Sequence, residues 1–101
     1  MTTDKQGIIK IDLEDRYGPL TFGSVLIACR QAEGMNQAAM ARLLGISRQK
    51  LCDFEKGRRL PSPSKADEFA RTLGVAPAVL VEIVLQEMLR QENLDFKVTV
   101  A

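Results

Sequence analysis

The chain has no histidine and no tryptophan, and only five of its 101 residues are aromatic. Without histidine it lacks the commonest metal ligand and the commonest general base at neutral pH. Its two cysteines, Cys29 and Cys52, stand far apart and have no CxxC partner. Both fall inside expected helices, so they read as small buried hydrophobes of a reducing cytosol rather than a disulfide or a zinc site. The longest apolar run, around Val79 to Leu85, is interrupted by Glu82 and is far too short to span a bilayer. The opening MTTDKQG lacks the basic-then-apolar order of a signal peptide. There is no Gly-rich phosphate loop, and Ser47, Ser62 and Ser64 have no histidine to activate them. These absences exclude most catalytic chemistry. They lead us to expect a cytoplasmic protein that is not an enzyme, needs no cofactor or metal, and stays off membranes.

What is present points elsewhere. A length of 101 residues and an apolar content of 46% suit one small domain with modest extensions. The net charge is only +1, but it is unevenly spread. Residues 21–65 hold eight Lys and Arg against three Asp and Glu, a balance of +5. Residues 66–101 hold three against six, a balance of −3, and the first twenty hold three against four, a balance of −1. A basic middle and an acidic end fit one face that meets phosphate and another that meets protein.

The basic part contains MNQAAMARLLGISRQKLCDFEKG, residues 35–57. Asn36 is placed to cap a helix from Gln37 to Leu44, with Ala38, Ala41 and Leu44 on one face and Met40 and Leu43 beside them. Gly45 supplies the left-handed residue that stops it. Ile46 plugs the corner, and Ser47 caps a second helix to about Lys56. That helix has only Leu51, Phe54 and partly Cys52 to bury. Its first turn, Arg48, Gln49 and Lys50, is polar and long-armed. Arg and Lys can donate to guanine O6 and N7, and Gln can pair with adenine, so such a turn suits the major groove. Two caps, a three-residue turn, polar first-turn residues and a basic tail, in that order, form a DNA-reading helix-turn-helix pattern.

The rest of the chain frames this motif. Ile9, Ile11 and Leu13 alternate with polar residues and predict a short strand. Thr21 caps a helix from Phe22 to about Glu33, with Phe22, Val25, Leu26 and Cys29 inward. The segment from Gly57 to Pro63 is expected to be a loop, because its prolines resist a helix. Ser62 or Ser64 starts a fourth helix, which Gly74 closes. Pro77 opens a fifth, running to about Glu92. The fifth helix is apolar on most sides, leaving a narrow polar stripe of Glu82, Gln86 and Arg90, so it is expected to need a second cover. The most natural cover is another copy of itself. Beyond it Leu94, Phe96, Val98 and Val100 alternate with Asp95, Lys97 and Thr99, a strand pattern that must find a partner strand. The alternative is that this tail folds back onto the N-terminal strand of its own chain.

Residues 21–81 resemble the five-helix DNA-binding domain of phage repressors and Cro, the XRE-type helix-turn-helix family. The matching residues are Arg30, Asn36-Gln37, Ala41, Leu44-Gly45-Ile46-Ser47, Glu55-Lys56-Gly57, Pro61, Ala70 and Leu73-Gly74-Val75, over about three-fifths of the chain. The resemblance implies that Gln37 binds phosphate and that Arg48, Gln49 and Lys50, at the helix opened by Ser47, contact bases, with Asp53 one turn later. It implies that Lys56, Arg58 and Arg59 bind the DNA backbone and that Arg30 and Glu55 form an ion pair between the first and third helices. Two departures stand out. Ala39 occupies a place where many members carry Glu, and Asp53 cannot approach phosphate favourably, although it could accept from a cytosine amino group. By architecture the C-terminal strand also resembles that of HipB-type antitoxins.

The expectation is therefore a mostly α protein: a five-helix domain over 21–92, an N-terminal arm with a short strand over 1–20, and a dimerisation strand over 93–101. It would repress transcription as a homodimer on a palindromic operator in double-stranded DNA. Its dimer interface would comprise Val81, Val84, Leu85, Met88, Leu94, Phe96, Val98 and Val100. The alternative function is an antitoxin that holds a protein toxin and regulates its own operon.

Overall fold

The computed structural model describes residues 20–100, which contain five helices. They are α1 (Phe22–Ala32), α2 (Gln37–Leu44), α3 (Arg48–Glu55), α4 (Pro63–Leu73) and α5 (Pro77–Gln91). The strand expected at Ile9 to Leu13 lies outside the described residues. Among those residues no helix is long and apolar enough to cross a membrane.

Local chemistry sets each boundary. Thr21 and Ser24 form a reciprocal capping box at the start of α1. Asn36 and Ser47 cap α2 and α3 through backbone N–H groups three residues on. Ser62, not Ser64, caps α4. Pro63 then belongs to the helix instead of breaking it: its fixed φ suits the first position, where its missing N–H would be unpaired anyway. Gly45 ends α2 at φ 70°, a left-handed turn that L side chains rarely adopt.

The core is built on three of the four phenylalanines. Phe22, Phe54 and Phe69 come from α1, α3 and α4, with ring centroids 5.2 to 6.2 Å apart. Leu26, Met40, Leu51, Leu80 and Val84 fill the space around them and are fully buried. Among the described residues no polar or charged residue is buried as a whole. Leu43, expected to lie beside the inner face of α2, is 48% exposed instead. The helix turns it outward, past the positions of Met40 and Ala41. Both cysteines are half-buried rather than enclosed. Burial still raises the Cys29 thiol above its ordinary pKa, with the Glu33 carboxylate adding to the effect.

Two close approaches lock the helices together. Gly23 in α1 lies against the C-terminal end of α3, where a Cβ would stand 2.5 Å from the carbonyl oxygen of Phe54 and 2.8 Å from that of Glu55. From the far end of the chain, Glu87 in α5 accepts from the free N–H of Phe22 at the start of α1.

The fifth helix is covered within the chain more fully than its pattern suggests. Leu80, Ile83 and Val84 enter the core, and Val79, Val81 and Met88 pack against it. Val84 has no exposed surface, so it cannot belong to a dimer interface. No strand forms among the described residues, since none lies beside residues 94–100 to pair with. The tail instead turns back at Asn93, φ 58°, and is held by side chains of α5.

Candidate nucleic-acid interface

The motif helices divide their residues by side. On α3, Leu51 and Phe54 anchor the helix in the core, which leaves Ser47, Arg48 and Gln49 exposed and Lys50 half-buried. Arg48 and Gln49 are therefore exposed on a helix anchored in the core, with Lys50 partly covered beside them. Lys56, Arg58 and Arg59 follow on the exposed segment after the helix. Gly57, at φ 74°, makes the turn, and Arg58 N–H returns to the carbonyl of Asp53 at 2.9 Å. That closure brings Arg58 back alongside the helix it has just left.

Asp53 links these groups. Its Oδ1 accepts from Gln49 Nε2 at 3.1 Å and lies 3.6 Å from Arg58 Nη1. One carboxylate thus orients a residue of the first turn and a cation of the following loop. A carboxylate so engaged partly offsets its own repulsion of phosphate by fixing two donors beside it.

Gln37 is held differently. Its Nε2 donates to Glu55 Oε1 at 3.0 Å. Glu55, whose side chain is 4% exposed, also takes both prongs of Arg30: Nε to Oε2 at 2.8 Å and Nη2 to Oε1 at 3.1 Å. Arg30 Nη1 reaches the carbonyl of Met35 at 3.3 Å. This network joins α1, the start of α2 and the end of α3. Gln37, the first residue of α2, spends one N–H of its amide on this bond and keeps a second donor.

Lys50 and Arg59 line a notch of about 330 Å³ that sequence reasoning did not single out, with Lys65 and Ser62 on its other wall. It extends the basic surface from α3 to the start of α4. Sequence reasoning also passed over Gly23 and Glu87, which fix α3 and α5 against α1. A glycine inside an apolar helical pattern was the available signal for the first. Nothing local could have marked the second, whose partner lies 65 residues away. The residues expected at a dimer contact do not form one patch in the single chain. Val81 and Met88 lie against the core, Leu85, Val98 and Val100 are half-buried, and Leu94 and Phe96 are 44% and 64% exposed.

A family model described as a helix-turn-helix domain matches residues 21–83, more than half of the chain. No curated protein matches it, and no solved structure does.

Proposed function

Because the chain belongs to the helix-turn-helix domain family, we propose that it is a sequence-specific DNA-binding repressor of the XRE type, acting as a homodimer on a palindromic operator. The observation that carries this reading is the exposed first turn of α3, seated on a buried base and flanked by the cations of the following loop. Arg48, Gln49 and Lys50 read base edges in the major groove. Gln37, Lys56, Arg58 and Arg59 hold phosphates and set the register. Asp53 acts mainly by orienting Gln49 and Arg58. One reading helix spans only a few base pairs, so two copies related by a two-fold axis supply the rest, with their helices about 34 Å apart. Residues 21–92 form the DNA-binding unit, and the segment from 93 on joins the copies. Selection from a random DNA pool tests this. Enrichment of an inverted repeat with half-sites one helical turn apart supports it, and no enrichment over the starting pool defeats it.

A second reading, an antitoxin that also holds a protein toxin, is favoured by one feature. Leu43 stands half-exposed at a groove of about 500 Å³ lined by Cys29, Met35, Leu73 and Val75, to which α3 contributes nothing. Co-purification of a toxin encoded in the neighbouring reading frame would support it. A chain that purifies alone from its native host would count against it.

A further inference from the structure

Two residues of the polar stripe of α5, Gln86 and Glu82, hold backbone of the tail. Gln86 Nε2 donates to the carbonyl of Phe96 at 2.8 Å, and Gln86 Oε1 accepts from Val98 N–H at 2.9 Å. One side-chain amide thus bonds the residues on either side of Lys97, as a residue of a neighbouring strand does. Four residues earlier on α5, Glu82 Oε2 accepts from Val100 N–H at 3.2 Å. The tail reaches this place because Leu94 N–H closes on the carbonyl of Leu89 at 2.9 Å, with Asn93 in the left-handed region.

This arrangement decides which edge of the tail is open. In extended chain, alternate residues send their N–H and C=O groups to opposite edges. The even-numbered residues send theirs to α5. Asp95, Lys97 and Thr99 send theirs away from it, and their backbone N–H groups meet no acceptor among the described residues. Leu94 and Phe96 on the tail, with Leu43 of α2, are the large apolar residues exposed among the described residues. The result is an unpaired strand edge with apolar side chains beside it, a template for another strand.

We infer that this edge takes the tail of a second copy, antiparallel, with Asp95 opposite the partner's Lys97 and Phe96 opposite the partner's Phe96. Edge and charge together select the register. The open edge carries odd-numbered residues, so hydrogen-bonded pairs must be odd with odd. Centring the two-fold axis on Asp95 or Lys97 sets like charges opposite each other, which is destabilising. Centring it on Val98 leaves both charges unmatched. Centring it on Phe96 matches Asp95 with Lys97 twice. It also places the two rings in a non-hydrogen-bonded pair, where strands approach to about 4.5 Å between Cα atoms, and brings Leu94 against the partner's Val98. Gln86 and Glu82 therefore act as the second rail of a sheet, holding each tail in strand form before its partner arrives. This rests on the homodimer proposed above and gives it a contact and a register.

Charge reversal and cross-linking test it together. Asp95→Lys and Lys97→Asp should each raise the dimer dissociation constant about tenfold in sedimentation, because two symmetric pairs turn repulsive. The double variant should return it to near the parent value. With Cys29 and Cys52 changed to Ala, Phe96→Cys should form a disulfide-linked dimer under mild oxidation roughly tenfold faster than Lys97→Cys, since only the former faces its own copy in the close pair. Faster linking at 97, absence of charge rescue, or a monomeric parent protein at micromolar concentration overturns the inference. If the cysteine-free background does not fold, the charge series in the parent background decides. A dimer of this register that selects no DNA sequence upholds the inference and ends the repressor reading. A monomer that selects one overturns the inference and the homodimer with it, and leaves sequence-specific DNA binding standing.

Discussion

Gly23 touches the backbone of Phe54. The carbonyl oxygen of Phe54 lies 2.5 Å from where a Cβ on residue 23 would stand, so α1 and the end of the reading helix pack backbone to backbone. Gly23→Ala should destabilise the fold by about 1–3 kcal/mol, since neither helix can yield without moving the core. Ala is the better helix former, so a purely local effect would have the opposite sign. Denaturant unfolding followed by circular dichroism distinguishes them, and a variant as stable as the parent would refute the contact.

Arg30 and Glu55 form a two-pronged pair that also holds Gln37. Removing Arg30 strands a carboxylate whose side chain is 4% exposed, whereas Arg30 itself keeps 20% exposure. Arg30→Ala should therefore cost about 2–3 kcal/mol. Glu55→Gln keeps the shape but loses the charge, so it should cost less. Equal losses for both would show that packing, not the ion pair, carries the effect.

For the DNA site, Arg48→Ala and Gln49→Ala should each cost about 1–3 kcal/mol on a selected operator and little on random DNA. Asp53→Ala should behave differently. It frees Gln49 and removes a negative charge facing the DNA, so binding to random sequence should tighten while discrimination falls. Titrations on both DNAs read the two effects separately. A uniform loss on both would place Asp53 in direct structural support of the helix.

Arg58→Ala should weaken binding to every sequence and lower the slope of log affinity against log salt by about one unit. An unchanged slope would make Arg58 a surface charge engaged only with Asp53.

Cys29 should alkylate slowly at neutral pH. Burial and Glu33 raise its pKa, so the reactive thiolate is scarcer than in an open peptide, and the rate should keep climbing at pH values where a free thiol has levelled off. Mass-spectrometric mapping of iodoacetamide adducts measures this. Reaction at the rate of an unstructured cysteine would contradict the burial.

The helices were largely legible from the sequence because their signals are local. Thr21, Asn36 and Ser47 cap where their side chains suggest, and Gly45 stops α2 through a backbone state that few other residues tolerate. The start of α4 stays open between Ser62 and Ser64 on sequence alone, because proline at a first helical position and proline inside a helix look alike until the cap at Ser62 is known. The tail was legible only in part, for a deeper reason. A period of two reports that alternate residues differ, not what lies on either side, so it could not show that Gln86 and Glu82 would stand in for one neighbouring strand. The stripe of α5 suffered the same blindness: a polar stripe facing solvent and one holding backbone have the same pattern.

The hydrogen bond from Phe22 to Glu87 ties the first helical residue of the domain to its last helix. A contact across 65 residues means that α1 has no complete N-terminus until nearly all of the domain is in place. Folding is therefore expected to be all-or-none despite the short helices, since neither the motif nor its frame is finished alone. A chain cut within α5 would lose not an appendage but the closing stitch of the whole domain, and the reading helix would fall with it.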